Sequence, residues 1–95
     1  MNICFIMGKI VSNIEFKFII KSKNYSIIIF KLELRNKSII QVKAYNELAD
    51  FGYQNLKVGE KVFLQGMICN DIDLNIDELI CTRIQSMNDF STNTF

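Results

Sequence analysis

Residues 39–66, IIQVKAYNELADFGYQNLKVGEKVFLQG, read as a strand, a short helix and a second strand. From Ile39 to Tyr45 the chain alternates. Ile40, Val42 and Ala44 share one face, and Ile39, Gln41, Lys43 and Tyr45 the other, as a half-buried strand requires. Asn46 fits an N-cap, because its side-chain oxygen can accept from the free amides of a first helical turn. Leu48, Phe51 and Leu56 follow near helical spacing, an apolar stripe on a piece too short to stand without packing. Val58-Gly59-Glu60 turns the chain, with Gly59 supplying a backbone angle that other residues resist. Lys61 to Gly66 alternates again, Val62 and Leu64 against Phe63 and Gln65. A strand face carrying a lysine, a glutamine and a ring beside aliphatic side chains is a surface that touches something.

On the N-terminal side, Ile3 to Ile10 is a first strand, with a bulge or a close backbone approach expected at Gly8. Val11-Ser12-Asn13 loosens the pattern, and alternation resumes from Glu15 to Ile20, with Phe16, Phe18 and Ile20 on one face. Lys21-Ser22-Lys23-Asn24 is a polar turn. Ser26 to Leu34 is the clearest strand, with Phe30, Leu32 and Leu34 inward and Ile29, Lys31 and Glu33 outward. Arg35-Asn36-Lys37-Ser38 makes a short hairpin. Beyond Gly66, Asn70 to Asp73 is a turn, Ile76 to Ile84 a last strand, and Ser86 onward a polar, aperiodic tail expected to be disordered. The domain therefore spans 1–85 and the tail 86–95. With Glu15 to Ile20 counted as part of the first strand, five strands with one short helix between the third and fourth make an all-β chain. Its natural packing is a small closed Greek-key barrel.

Ninety-five residues is one domain, near the size at which a chain just buries an adequate core. No run is long enough to span a bilayer, and the start lacks the basic segment of a signal peptide, so an unprocessed soluble protein is expected. Cys4, Cys69 and Cys81 are odd in number and lie in apolar strands, which fits buried thiols in a reducing compartment. Isoleucine, asparagine and lysine are abundant while proline and tryptophan are absent. That usage is typical of AT-rich coding sequence, as in an organelle or a low-GC bacterium. Residues 1–66 hold ten Lys/Arg against five Asp/Glu, a net of +5; residues 67–95 hold one against five, a net of −4. A basic front with an acidic end suits a polyanion binder, although uneven scatter over a solvated surface gives the same totals.

Catalysis is poorly supplied. With no histidine, the usual general base and the commonest metal ligand near neutral pH are missing. The four glycines lie too far apart for a phosphate loop, and Asp71, Asp73, Asp77 and Glu78 match no calcium loop. No enzyme, cofactor or metal is expected. Single-stranded nucleic acid, by contrast, needs positive charge for its phosphates and ring faces for its bases. Lys9, Lys17, Lys31 and Lys43 fall in strands, and Lys31 and Lys43 share an outward face with Tyr45. Phe5, Phe30 and Phe51 are read as core, as are Phe16 and Phe18. Tyr25 leans towards binding, and Tyr45 fits either a stacking platform or a subunit contact.

MNICFIMGKIVSNIEFKF resembles the opening of bacterial-type single-stranded DNA-binding proteins, where a strand ending in glycine leads to an acidic-apolar-basic-aromatic run, here Glu15-Phe16-Lys17-Phe18. IIQVKAYNELADFGYQNLKVGEKVFLQGMI is similar to that family's most recognisable segment, and order and spacing agree over residues 2–68. The short plastid-encoded algal type also fits the composition and implies a plastid; otherwise the bacterial cytoplasm is implied. The resemblance implies an OB fold, sequence-tolerant binding of single-stranded DNA in replication, repair or recombination, and a homo-oligomer, commonly a tetramer. It places Tyr45 at a stacking aromatic, Lys17 and Lys43 at contact positions, and Ile39 where bacterial members carry a tryptophan. The hairpins here are shorter than in larger members, and only Asp89, Phe90 and Phe95 echo the family's acidic tail. Two other readings stay open. The outward face of Ile29, Ile39 and Tyr45 could bury against a protein partner in an assembly module, and nothing in the sequence separates DNA from RNA.

Overall fold

A computed structural model describes residues 3–71 and 76–87. The strands are β1 (Ile3–Ile10), β2 (Glu15–Ile19), β3 (Tyr25–Leu34) and β4 (Ile39–Tyr45), then helix α1 (Asn46–Asn55), β5 (Lys61–Asp71) and β6 (Ile76–Ser86). The sheet order is β1-β5-β6-β4-β3-β2, and an extra β1–β3 pairing closes β1, β5, β6, β4 and β3 into a five-stranded barrel. Both β1 and β2 lie antiparallel along β3, β1 on Leu32–Leu34 and β2 on Tyr25–Ile29. They act as two halves of one bent strand. Across the break Val11 N donates to Lys31 O at 3.0 Å, and Lys31 N donates to Ser12 Oγ at 2.7 Å. The expected five-stranded barrel with its helix after Tyr45 is therefore present.

Alternation delivers the core. Ile10, Ile28, Phe30, Leu32, Val42, Ala44, Val62, Leu64 and Leu79 are all buried. Gly8 sits at the crossing where β1 faces β5 on one side and β3 on the other. A Cβ there would lie 2.7 Å from the Glu33 carbonyl, so the close approach expected at this glycine is present. Gly59 turns into β5 with φ 91°.

Several expectations are corrected. Asn46 is not a cap: the N-cap is Tyr45, no side chain bonds the free amides, and Asn46 takes a left-handed φ of 57°, which asparagine tolerates. The buried residues of α1 are Ala49 and Gly52, and Leu56, also buried, is its extended C-cap; Leu48 is half-buried and Phe51 is 45% exposed. Small residues win because the helix lies so close to β3 that a Cβ on Gly52 would meet Ile28 Cδ1 at 2.5 Å. Of the phenylalanines read as core only Phe30 is buried, whereas Phe5 and Phe18 are 64% and 59% exposed and Phe16 is also exposed. The thiols divide in the same way: Cys81 is buried, Cys4 half-buried and Cys69 exposed. Burial pushes the Cys81 thiol up to about 11, so it stays neutral. Finally, Asn70 and Asp71 belong to β5 and pair with Asp77 and Ile76. The connection at 72–75, including Asp73, and the tail from 88 onward lie outside the described residues.

Candidate nucleic-acid interface

One outer wall of the barrel is built by β2, β3 and β4, whose register sets its side chains in rungs. Lys17, Ile27 and Tyr45 form one rung, Ile19 and Tyr25 the next, and Glu15, Ile29 and Lys43 the one on the other side. Further along come Lys31 with Gln41, then Glu33 with Ile39. The wall exists because alternation in β3 and β4 sends Phe30, Leu32, Val42 and Ala44 inward and leaves the intervening residues outward.

Its rings and charges are arranged unevenly. Tyr45 is 37% exposed, and its ring centroid lies 6.0 Å from that of Tyr25 at an interplanar angle of 53°. Such a tilted pair holds both rings in place while leaving faces open. Lys17, on the same rung as Tyr45, is exposed and lies 3.8 Å from Glu15, a solvated contact worth little. Lys31 is exposed and borders a depression of about 460 Å³ shared with Ser12, Asn13 and Gln41.

Lys43 differs. Its Nζ lies 3.0 Å from Glu78 Oε2, and the same carboxylate oxygen accepts from Gln41 Nε2 at 3.0 Å. The two side chains are largely covered, Lys43 to 20% and Glu78 to 10% exposure, so this charge is held by a neighbour. The partner arrives because β6 runs parallel to β4, setting Glu78 opposite Gln41 and Ile80 opposite Lys43.

The wall thus brings together Lys17, Tyr25, Lys31, Lys43 and Tyr45, with Ile39, 52% exposed, at its far end. Lys9 stands apart. It lies on β1, opposite Glu33 on one side and Lys61 on the other, in a groove at the end of the barrel beyond the tyrosine rungs. Other features escaped the sequence reading. Phe16 packs on Tyr53 of α1 with centroids 4.9 Å apart, and Phe5 on Phe63 at 5.9 Å. The second pair belongs to another outer wall, where Ile3, Phe5 and Met7 of β1 are all more than half exposed beside Phe63 and Met67 of β5. Strand parity in β1 would have separated these residues from Ile6 and Ile10.

No protein-family model matches the chain, and no curated protein matches it by sequence. Solved structures do match. The single-stranded DNA-binding (SSB) domain of a Synechococcus protein superposes with a TM-score of 0.81 at 15% identity, covering 90% of this chain and 94% of that one. The second single-stranded DNA-binding protein of Mycobacterium smegmatis gives 0.77 at 18%, covering 98% and 93%. The second OB-fold domain of replication protein A from Methanococcus maripaludis gives 0.72 at 19%, covering 87% and 81%. The chain has an OB fold. At these identities the likeness fixes the architecture, and the chemistry of this OB fold rests on its own side chains.

Proposed function

We propose that this OB fold is a non-enzymatic, sequence-tolerant single-stranded DNA-binding protein that coats unpaired strands during replication, repair or recombination. The observation that carries this reading is the β2–β3–β4 wall, where the Tyr25–Tyr45 pair shares one open face with Lys17, on the rung of Tyr45, and Lys31, two rungs further along. Bases stack on the tyrosines, each stack contributing roughly 1–3 kcal/mol, and the ammonium groups take the phosphates. Ile39 adds an apolar contact at the far end of the wall. Lys43 contributes only when a phosphate competes with Glu78. Solved structures that this fold resembles include single-stranded DNA-binding proteins, which supports the same reading.

The apolar β1–β5 wall supports self-association. Ile3, Phe5 and Met7 exposed side by side leave a patch that a second copy covers without touching the tyrosines. It also favours one second reading, an assembly module with no affinity for DNA. Titration of a labelled oligothymidylate at low salt separates the two. Binding that weakens steeply as salt rises supports the first, because released counterions set the slope. A well-formed oligomer that binds no oligonucleotide supports the second.

A further inference from the structure

At the end of the barrel, β1, β5 and the β3–β4 hairpin enclose a groove of about 520 Å³. Among the described residues four cations line it, Lys9, Arg35, Lys37 and Lys61, against one carboxylate, Glu33. Lys37 Nζ lies 3.9 Å from Glu33 Oε1, and among the described residues that carboxylate is the groove's one counter-charge. Among the described residues, Lys9, Lys61 and Arg35 have no ion-pair partner. Lys9 and Lys61 are also direct cross-strand partners in the antiparallel β1–β5 ladder. Like charges in that position oppose folding, so the pair has no structural benefit in the isolated chain. An anion lying between them would reverse the sign of that contribution.

The groove is continuous with the tyrosine wall. The register runs Lys61–Lys9 across β5 and β1, Lys9–Glu33 across β1 and β3, and Glu33–Ile39 across β3 and β4. A strand leaving the wall at Ile39 therefore crosses one residue, Glu33, before it meets the four cations.

We propose that this end groove is a second phosphate track, which takes the sugar–phosphate backbone of a single strand beyond the segment stacked on the β2–β3–β4 wall. The inference rests on the single-strand reading above and extends it to a longer footprint. It assigns the groove to phosphates alone, since Lys9, Lys61, Arg35 and Lys37 present no ring.

The test uses the full chain and labelled oligothymidylates of about 5 and about 16 nucleotides, lengths that span the footprints of a single OB fold. Wild-type protein should bind both, the longer one with the steeper salt dependence. Lys61→Glu combined with Arg35→Glu should weaken the longer oligonucleotide at least tenfold at low salt. It should flatten the plot of log affinity against log salt by about 1.4, at about 0.7 for each lost phosphate contact on a single strand. Binding of the shorter oligonucleotide should not change. Lys61→Glu alone should also raise the thermal midpoint, because it turns a like-charged cross-strand pair into an opposite one. A folded double variant with wild-type affinity and slope on the longer oligonucleotide would overturn the track. Wild-type protein that binds neither length overturns the single-strand reading and the track together, a pattern distinct from one in which wild type and variant bind alike.

Discussion

The two outer walls of this barrel obey the same alternation and carry opposite chemistry. The β2–β3–β4 wall sets Lys17, Lys31 and Lys43 among Tyr25, Tyr45 and aliphatic side chains. The β1–β5 wall sets Ile3, Phe5, Met7, Phe63 and Met67 together and reaches a lysine pair only at its end. Neither wall contributes to the core, which the inward residues of both already fill. The difference teaches that exposure alone does not identify a nucleic-acid surface. Rings mixed with cations suit a stacked polyanion, whereas a ring-and-methionine patch with one cation, Arg83, at its β6 edge suits another apolar surface.

The largest effect should come from the apolar wall. Phe5→Glu with Met7→Glu puts carboxylates where a second copy is proposed to sit, and light scattering should show the oligomer replaced by monomer. Circular dichroism should stay unchanged, since both side chains are more than half exposed. An unchanged mass would remove that wall from self-association. On the other wall, Tyr45→Ala should cost roughly 1–3 kcal/mol of oligothymidylate affinity, the worth of one stacked base, with little change in salt slope. Lys31→Glu should do the reverse, flattening the slope by about one phosphate contact while stacking persists.

The smallest expected effect is the sharpest probe of how the wall is tuned. Glu78→Gln keeps an acceptor for Gln41 but removes the charge that holds Lys43. Affinity at low salt should rise severalfold and the salt slope should steepen, because a cation now neutralised by the protein becomes available to phosphate. A fall in affinity would mean that Glu78 positions Lys43 for binding instead of withholding it.

Much of this could be read from the residues. Period-two alternation placed Phe30, Leu32, Val42 and Leu64 inward and Lys31, Lys43 and Tyr45 outward, because a strand with one buried face has only one acceptable parity. The helix was harder. Leu48, Phe51 and Leu56 are the large apolar residues, but within α1 the ones that pack are Ala49 and Gly52, since a helix seated close against Ile28 has room only for small side chains, and Leu56 is buried just past the helix as its C-cap. Aromatic residues misled for a related reason: Phe5, Phe16, Phe18 and Phe51 are hydrophobic enough for a core that this barrel has no volume to hold. The Lys43–Glu78 pair depends on a parallel contact between strands 35 residues apart in sequence, which no local pattern encodes.

Tyrosine fluorescence tests the central claim most directly, because the chain has three tyrosines and no tryptophan to obscure them. Adding oligothymidylate at low salt should quench the emission in step with binding measured by anisotropy of a labelled strand, and Tyr45→Ala should lose both much of the quench and part of the affinity. Binding with full affinity, no quench and no response to Tyr45→Ala would place the strand somewhere other than this wall.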